Sequence, residues 1–438
     1  MRFKIEATDE FIAGRAGLAL AGQLLGRTKL RSRLNDVHLP GNKTPEISHS
    51  DNLFSMIGLL CMAKPDYDAI EEFRRDDFFA ASLGVAKVPS SPTLRQRFDK
   101  AEGRFDRIVI EESARLLKNV GVALTPCHNK LLPLDIDVSC FDNSDTKKEG
   151  VSRTYKGFNG YAPALAYLGG EGYLVNARLK EGKDHCQKGM PEFLDETIGY
   201  VRLATRAPLL VRLDSGNDSA DNIKICAGRG ADWIIKRNLR NESLEEWLFT
   251  AITEGKERRP RDGKKVWTGR TLLAVEGFDE PQCAVYEVTK RDIDARGQIL
   301  MISEVEVNTW WTSLPDPPDV VIELYHKHGT SEQFHSELKT DMGLERLPSG
   351  KFAANSLVLL CGLLAYNILR MCGQETLRIG LAPTRKKVAR RRLRSVIQDM
   401  IYIACRMVKH ARRTSLKFDR RSAWFPAWSR VYAKFAAA

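Results

Sequence analysis

Four acidic residues stand where their spacing could do chemistry. In LDIDVS, Asp135 and Asp137 alternate with Leu134 and Ile136. A strand has a two-residue period, so both acids point to one face and the apolar residues to the other. In LLVRLDSGNDS a mostly apolar run ends at Asp214, followed by Ser215 and Gly216. Chemistry in open α/β sheets collects at the C-terminal ends of strands, and glycine permits a tight exit. In HKHGTSEQFHSELK, Glu332 begins a helical pattern, with His335 and Lys339 at i+3 and i+7 on its face and Phe334 and Leu338 on another. Thr330 and Gln333 have the spacing of a capping box. Taken singly, these acids have ordinary explanations: a strand emerging into solvent, a turn-forming aspartate, a first-turn glutamate favoured by the helix dipole. Together they make an oxygen-ligand cage suited to Mg²⁺, which takes carboxylates, keeps several waters and leaves room for phosphate oxygens. Two such ions can activate a water or a 3′-hydroxyl for in-line displacement at phosphorus.

These acids need a scaffold. Residues 1–125 read as helical. LALAGQLLGRTKLRSRL has apolar residues at helical spacing, and HSDNLFSMIGLLCMA offers Ser50 or Asp51 as a cap. PSSPTLRQRFDK opens a helix carrying Arg95, Arg97 and Lys100, which lies on a phosphate backbone or simply faces solvent. Residues 126–253 alternate strands and helices. LLPLDIDVSC, GYAPALAYLGG, GYLVNARLKEG, APLLVRLDSGND and ADWIIKRN read as strands, and GMPEFLDETIGYVRLATR and ADNIKICAGRG as helices. That order makes a mixed α/β sheet. Residues 254–314 read as a β-rich insertion. Residues 315–375 resume the α/β unit with the Glu332 helix and a buried helix through SLVLLCGLLAYNIL. Residues 376–438 read as a basic helical region, in which Val396, Met400, Ile403 and Met407 suggest a helix packed on the body.

The chain has 438 residues, enough for two or three domains, and a formal charge of +12. Such a charge suits a polyanionic partner. None of the nine cysteines forms a CxxC pair, which argues against a disulfide framework or a zinc ribbon. The start lacks a signal-peptide core. The apolar stretch Ser356 to Leu369 is too short for a bilayer and is expected to be a buried helix. A soluble, cytoplasmic protein is expected, with no membrane partner.

Tyr325, His328, Glu332 and Lys339 resemble the Y-(2)-R-(3)-E-(6)-K signature of DDE transposases from bacterial insertion sequences. LDIDVS resembles the strand bearing that family's first acid, and VRLDSGNDS the segment bearing its second. HGTSEQFHSELK, the Ala354-Asn355 pair and the helix ending LLAYNIL are closest to insertion-sequence family 1380. The resemblance implies an RNase H-like catalytic core interrupted by a β-rich insertion, with helical regions at both ends. It implies the triad Asp137, Asp214 and Glu332 on Mg²⁺, with Mn²⁺ expected to substitute and Asp135 as the alternative first ligand. Tyr325, His328 and Lys339 would contact DNA phosphates, and Arg212 precedes the second acid as in the family. Trp310 and Trp311 would either stack on a base drawn from the duplex or pack in the core.

The run RKKVARRRLR holds seven Lys and Arg in ten residues. With this chemistry, Arg385, Lys386, Lys387, Arg390, Arg391 and Arg392 are expected on DNA. The partners implied are double-stranded DNA, as terminal inverted repeats and target, and a second copy of the chain on that DNA, at the bacterial nucleoid. Two rival readings share the acids: a nuclease without strand transfer, and an inactive DNA-binding descendant. Two departures from the family bear on activity. His328 stands where the signature has Arg, and Asn217 where an aromatic is usual.

Overall fold

The computed structural model describes residues 3–5, 7, 8, 10–41, 45–384, 387–410 and 413–437. The N-terminal region supplies α1 (Leu18–Leu25), α2 (His49–Cys61), α3 (Ser91–Ala101) and α4 (Asp106–Val120). The run LALAGQLLGRTKLRSRL, with its helical spacing, folds as two helices, the second beginning at Leu30. The cap of α2 is Ser48, whose side chain accepts from the Asp51 amide. Ser90 caps α3 in the same way. Arg97 of α3 is buried against His49 and the Ile47 carbonyl, so only Arg95 and Lys100 of its basic residues face solvent.

Five strands form the centre: β1 (Leu132–Val138), β2 (Ala164–Leu168), β3 (Tyr173–Arg178), β4 (Leu209–Leu213) and β5 (Asp232–Lys236). β1, β4 and β5 run parallel, while β2 pairs antiparallel with β1 on its other side and β3 pairs antiparallel with β2 at the sheet edge. This is the mixed sheet expected of an RNase H-like core. β4 is buried along its whole length, as a strand covered on both faces must be. Helices α5 (Met190–Ala204) and α6 (Ala220–Gly228) make the connections from β3 to β4 and from β4 to β5.

Residues 254–314 fold as four strands, β6 (Lys256–Arg261), β7 (Lys264–Leu273), β8 (Gln282–Ile293) and β9 (Ile299–Thr312). They extend the central sheet. β9 pairs antiparallel with β5 through Trp310–Lys236, Trp311–Ile235 and Thr312–Ile234. The result is one nine-stranded sheet in the order β6-β7-β8-β9-β5-β4-β1-β2-β3.

After β9 come α7 (Pro318–His326), α8 (Ser331–Ser336) and the 28-residue α9 (Phe352–Ile379). Helix α9 is, among the described residues, the one helix long and apolar enough to cross a membrane, but 83% of its most apolar window is buried inside the protein. It packs on α2, α3, α4 and β3. Helices of the first 125 residues therefore share one hydrophobic core with the sheet.

The C-terminal region is less helical than expected. Helical spacing ends at Ile401, and Met407 lies in a strand, Cys405–His410. That strand pairs with Arg413–Lys417 and with Ile12–Ala13. A final helix, α10 (Phe425–Ala437), returns to α1 and α9.

Candidate active site

The register of β1 against β4 sets the site. Pro133 is opposite Leu210, Asp135 opposite Arg212 and Ile136 opposite Leu213. One rung further, Asp137 and Asp214 leave the ends of the two strands on the same face. Both line a cavity of about 920 Å³ together with Tyr325, His328, Glu332 and Lys339. The cavity also gathers Tyr155, Lys156, His326, His335 and Glu345.

Asp137 is held from behind by the Val138 amide, 2.7 Å from its Oδ1. Burial, and then the charge of Asp214, push the Asp137 carboxyl up to about 6. Asp214 accepts from Asn217 Nδ2 at 2.7 Å, and Asn217 is itself fully buried with its carbonyl bonded to Asn222. The departure from the family's aromatic at this position thus gives Asp214 an orienting donor.

Glu332 is exposed in the first turn of α8, on the cavity rim. Thr330 makes no capping bond and instead donates to the Lys327 carbonyl, so the capping box does not form. His335 and Lys339 share the cavity face with Glu332, whereas Phe334 and Leu338 are in the core. His335 Nδ1 lies 3.8 Å from Asp137 Oδ2. Burial first, then His328 and Lys339, push this imidazole down to about 3, so it is neutral. Lys339 Nζ donates to the Cys140 carbonyl at 2.7 Å and pairs with Glu345 at 2.9 Å. The Tyr325 ring sits 5.6 Å from Trp310 and 5.9 Å from His328. Burial, reinforced by Asp214 and Asp137, keeps its phenol protonated.

Four expectations are corrected. Asp135 is no metal ligand. Its two oxygens accept from Arg212 Nε and Nη2 at 2.6 and 2.7 Å, and Oδ1 also meets His328 Nδ1 at 3.0 Å. Burial works against its charge, but Arg212 and His328 outweigh it and hold the carboxyl below its ordinary range. Arg212 does not reach DNA, because it is 3% exposed and its third donor goes to the Leu324 carbonyl. Trp310 and Trp311 do not stack on a base, being 1% and 6% exposed. Trp310 packs with Val285 and Leu314, and Trp311 Nε1 donates to Asp218 at 2.8 Å.

The fourth concerns Arg390, Arg391 and Arg392 of the basic run, which are engaged within the protein. Arg390 lies over the Phe334 ring, Arg391 is paired with Asp399 and stacked on Trp424, and Arg392 is bonded to Asp341. Lys387 is exposed, and Arg385 and Lys386 lie outside the described residues.

His328 is buried at the cavity wall. Burial opposes its charge, but the hydrogen bond and charge of Asp135 win and raise it above the ordinary imidazole value. Sequence reasoning missed Tyr155 and Lys156. They sit between two short strands, Ser152–Arg153 and Asn159–Tyr161, which no periodicity announces. Among the described residues no three His, Cys, Asp or Glu side chains converge as a ready metal cage. The donor set still suits a hard divalent cation: two carboxylates on neighbouring strand ends and a third, solvent-facing one on the same cavity.

The family model described as Transposase DDE domain group 1 matches residues 2–437. No curated protein matches. Among solved structures, the chain is similar to that titled "Cryo-EM structure of piggyBac transposase synaptic complex with hairpin DNA (SNHP)", at 10% identity and a TM-score of 0.40, covering 97% of this chain and 81% of that one. Because the family model spans nearly the whole chain, the protein belongs to the DDE transposase family, group 1, and is a DNA transposase.

Proposed function

We propose that Asp137, Asp214 and Glu332 are the catalytic acids, acting with Mg²⁺, or Mn²⁺ in its place, on the ends of an element of insertion-sequence family 1380. The carrying observation is the register that brings Asp137 and Asp214 to adjacent parallel strand ends on the cavity that Glu332 borders. Divalent ions held by these carboxylates would supply activation of a water or a DNA 3′-hydroxyl and neutralise the leaving oxygen. The chain's own groups do the rest. Asn217 and the Val138 amide fix the two aspartates. Lys156, His328 and Lys339 bring positive charge to the wall where phosphates would lie, and Tyr325 offers a protonated hydroxyl. His328 takes the signature arginine's role because Asp135 favours its charged form.

Binding of the terminal repeats falls to the helical region 1–125, through exposed side chains such as Arg95 and Lys100. Cutting two ends and joining them to target DNA calls for a dimer on DNA.

The test is strand breakage on a supercoiled plasmid carrying this gene with its native flanks, in Mg²⁺, with wild type, Asp137→Asn, Asp214→Asn and Glu332→Gln. Breaks at the element's ends should vanish in all three variants. A variant that still cuts at the wild-type rate removes its residue from the triad.

A further inference from the structure

Helix α8 runs on from Ser336 into a π-helical turn, Glu337–Asp341, with the Met342 amide donating to the Glu337 carbonyl at 3.1 Å. A helical piece this short has little stability of its own, so its neighbours decide where it sits. Its cavity face carries Glu332. The adjoining polar face carries Gln333, Glu337 and Asp341 at i, i+4 and i+8, and shares a small groove with Glu332.

That second face is occupied, position by position, by the former DNA-binding candidate. Arg390 Nη2 donates to Gln333 Oε1 at 2.8 Å while its guanidinium lies 4.3 Å over the Phe334 ring. The Leu393 amide donates to Glu337 Oε1 at 3.3 Å, and Arg370 of α9 closes an ion pair on the other oxygen. Arg392 grips Asp341 with Nε at 2.8 Å and Nη2 at 3.0 Å, and the Arg394 amide adds a bond at 3.2 Å. The Asp341 side chain is 0% exposed and that of Glu337 4%. Carboxylates buried so deeply are tolerated only when paired, so the acids and the basic segment specify each other.

We propose that Arg390–Arg394 is a positioning strap: it locks the Glu332 helix against the body, and so sets the site's grip on its divalent ions, instead of binding DNA. This rests on Glu332 being a ligand. Groups behind a metal ligand typically change metal affinity or activity by about 10–100-fold when removed.

The test uses the full-length protein with Arg392→Ala combined with Arg394→Ala, and Arg392→Lys as the conservative variant. Both arginines are more than half exposed, but their loss leaves the buried Asp341 carboxylate with only the Arg394 amide, so the melting midpoint is followed and the double variant is also made with Asp341→Asn, which leaves no stranded charge. Three quantities are read: amide exchange over residues 331–341, the Mg²⁺ concentration for half-maximal plasmid cleavage, and affinity for a duplex of the native flank in EDTA. The double variant should speed exchange about 10-fold and raise the half-saturating Mg²⁺ about 10-fold. DNA affinity should stay within about 2-fold, and Arg392→Lys should recover most of the metal response. Unchanged exchange and metal response, with weaker DNA binding and a shallower salt dependence, would overturn the strap and return the run to DNA. Glu332→Gln runs alongside. If it cleaves normally, the ligand assignment fails, while the exchange rates still decide whether the strap holds the helix.

Discussion

Asp135 and Arg212 lie opposite each other on parallel β1 and β4, and their side chains close a two-pronged ion pair at 2.6 and 2.7 Å with each only 4% exposed. The rung above this pair is Asp137 and Asp214. The same two strands therefore carry a neutralised rung in the core and an acidic rung at the cavity. The first fixes the strands against α7 through the Leu324 carbonyl, and the second is left with unbalanced charge.

Asp135→Asn and Asp137→Asn should consequently part company. Removing the Asp135 charge strands a buried guanidinium, at a cost of about 3–5 kcal/mol. Asp137→Asn should leave stability near or above wild type, because it removes repulsion. Urea unfolding of both variants in EDTA checks this. Equal loss in the two would contradict the division of roles.

Asp137 also predicts a pH dependence. Its carboxyl is raised to about 6 in the folded protein against an ordinary value of about 3.9. Between these values the folded state holds a proton that the unfolded state has lost, so this group's contribution to stability falls as pH rises from about 4 to 6. The expected loss is about 2–3 kcal/mol in metal-free protein. Wild type minus Asp137→Asn, melted in EDTA at pH 4.5 and 7.5, isolates it. Mg²⁺ should restore stability at pH 7.5 in wild type only.

Trp310→Phe should retain strand transfer, and Trp310→Ala should lose about 3–5 kcal/mol of stability through a core cavity. Thermal melts with joining assays decide. Impaired joining in Trp310→Phe at an unchanged melting midpoint would put the indole back on a base.

Gly172 closes the β2–β3 turn at φ +69°, and a Cβ there would come within 2.2 Å of the Phe334 ring. Gly172→Ala meets both strain and overlap, at about 1–3 kcal/mol. Because Phe334 is two residues from Glu332, cleavage should fall along with the melting midpoint. A variant that melts and cleaves as wild type would mean that the turn moves freely.

Much of the core was legible because its signals are local. Leu134 and Ile136 alternating with acids, the apolar run before Asp214, and Gly216 after it mark strands and their exits without reference to the rest of the chain. What the sequence hid was pairing at a distance. Asp135 reads as well as Asp137 for a ligand until Arg212 is seen opposite it. Arg390 to Arg392 read as a charge run until Phe334, Asp341 and Asp399 are seen beneath them. Tyr155 and Lys156 belong to a loop whose place depends on strands of two or three residues, too short for any period to show.

One contact of the fold joins segments about four hundred residues apart, α1 and α10. Arg27, just after α1, donates to the carbonyls of Lys434 and Phe435 in α10, and Gln23 meets the Tyr432 hydroxyl. A ribosome adding about 5–20 residues per second needs roughly 20–80 seconds to pass from one partner to the other. Throughout that interval α1 packs only on its early neighbours, and the part of its surface that α9 and α10 cover stays open. A nascent chain stopped short of residue 425 lacks the helix that covers this part of α1 and α9, and is thus a client for chaperones and proteases.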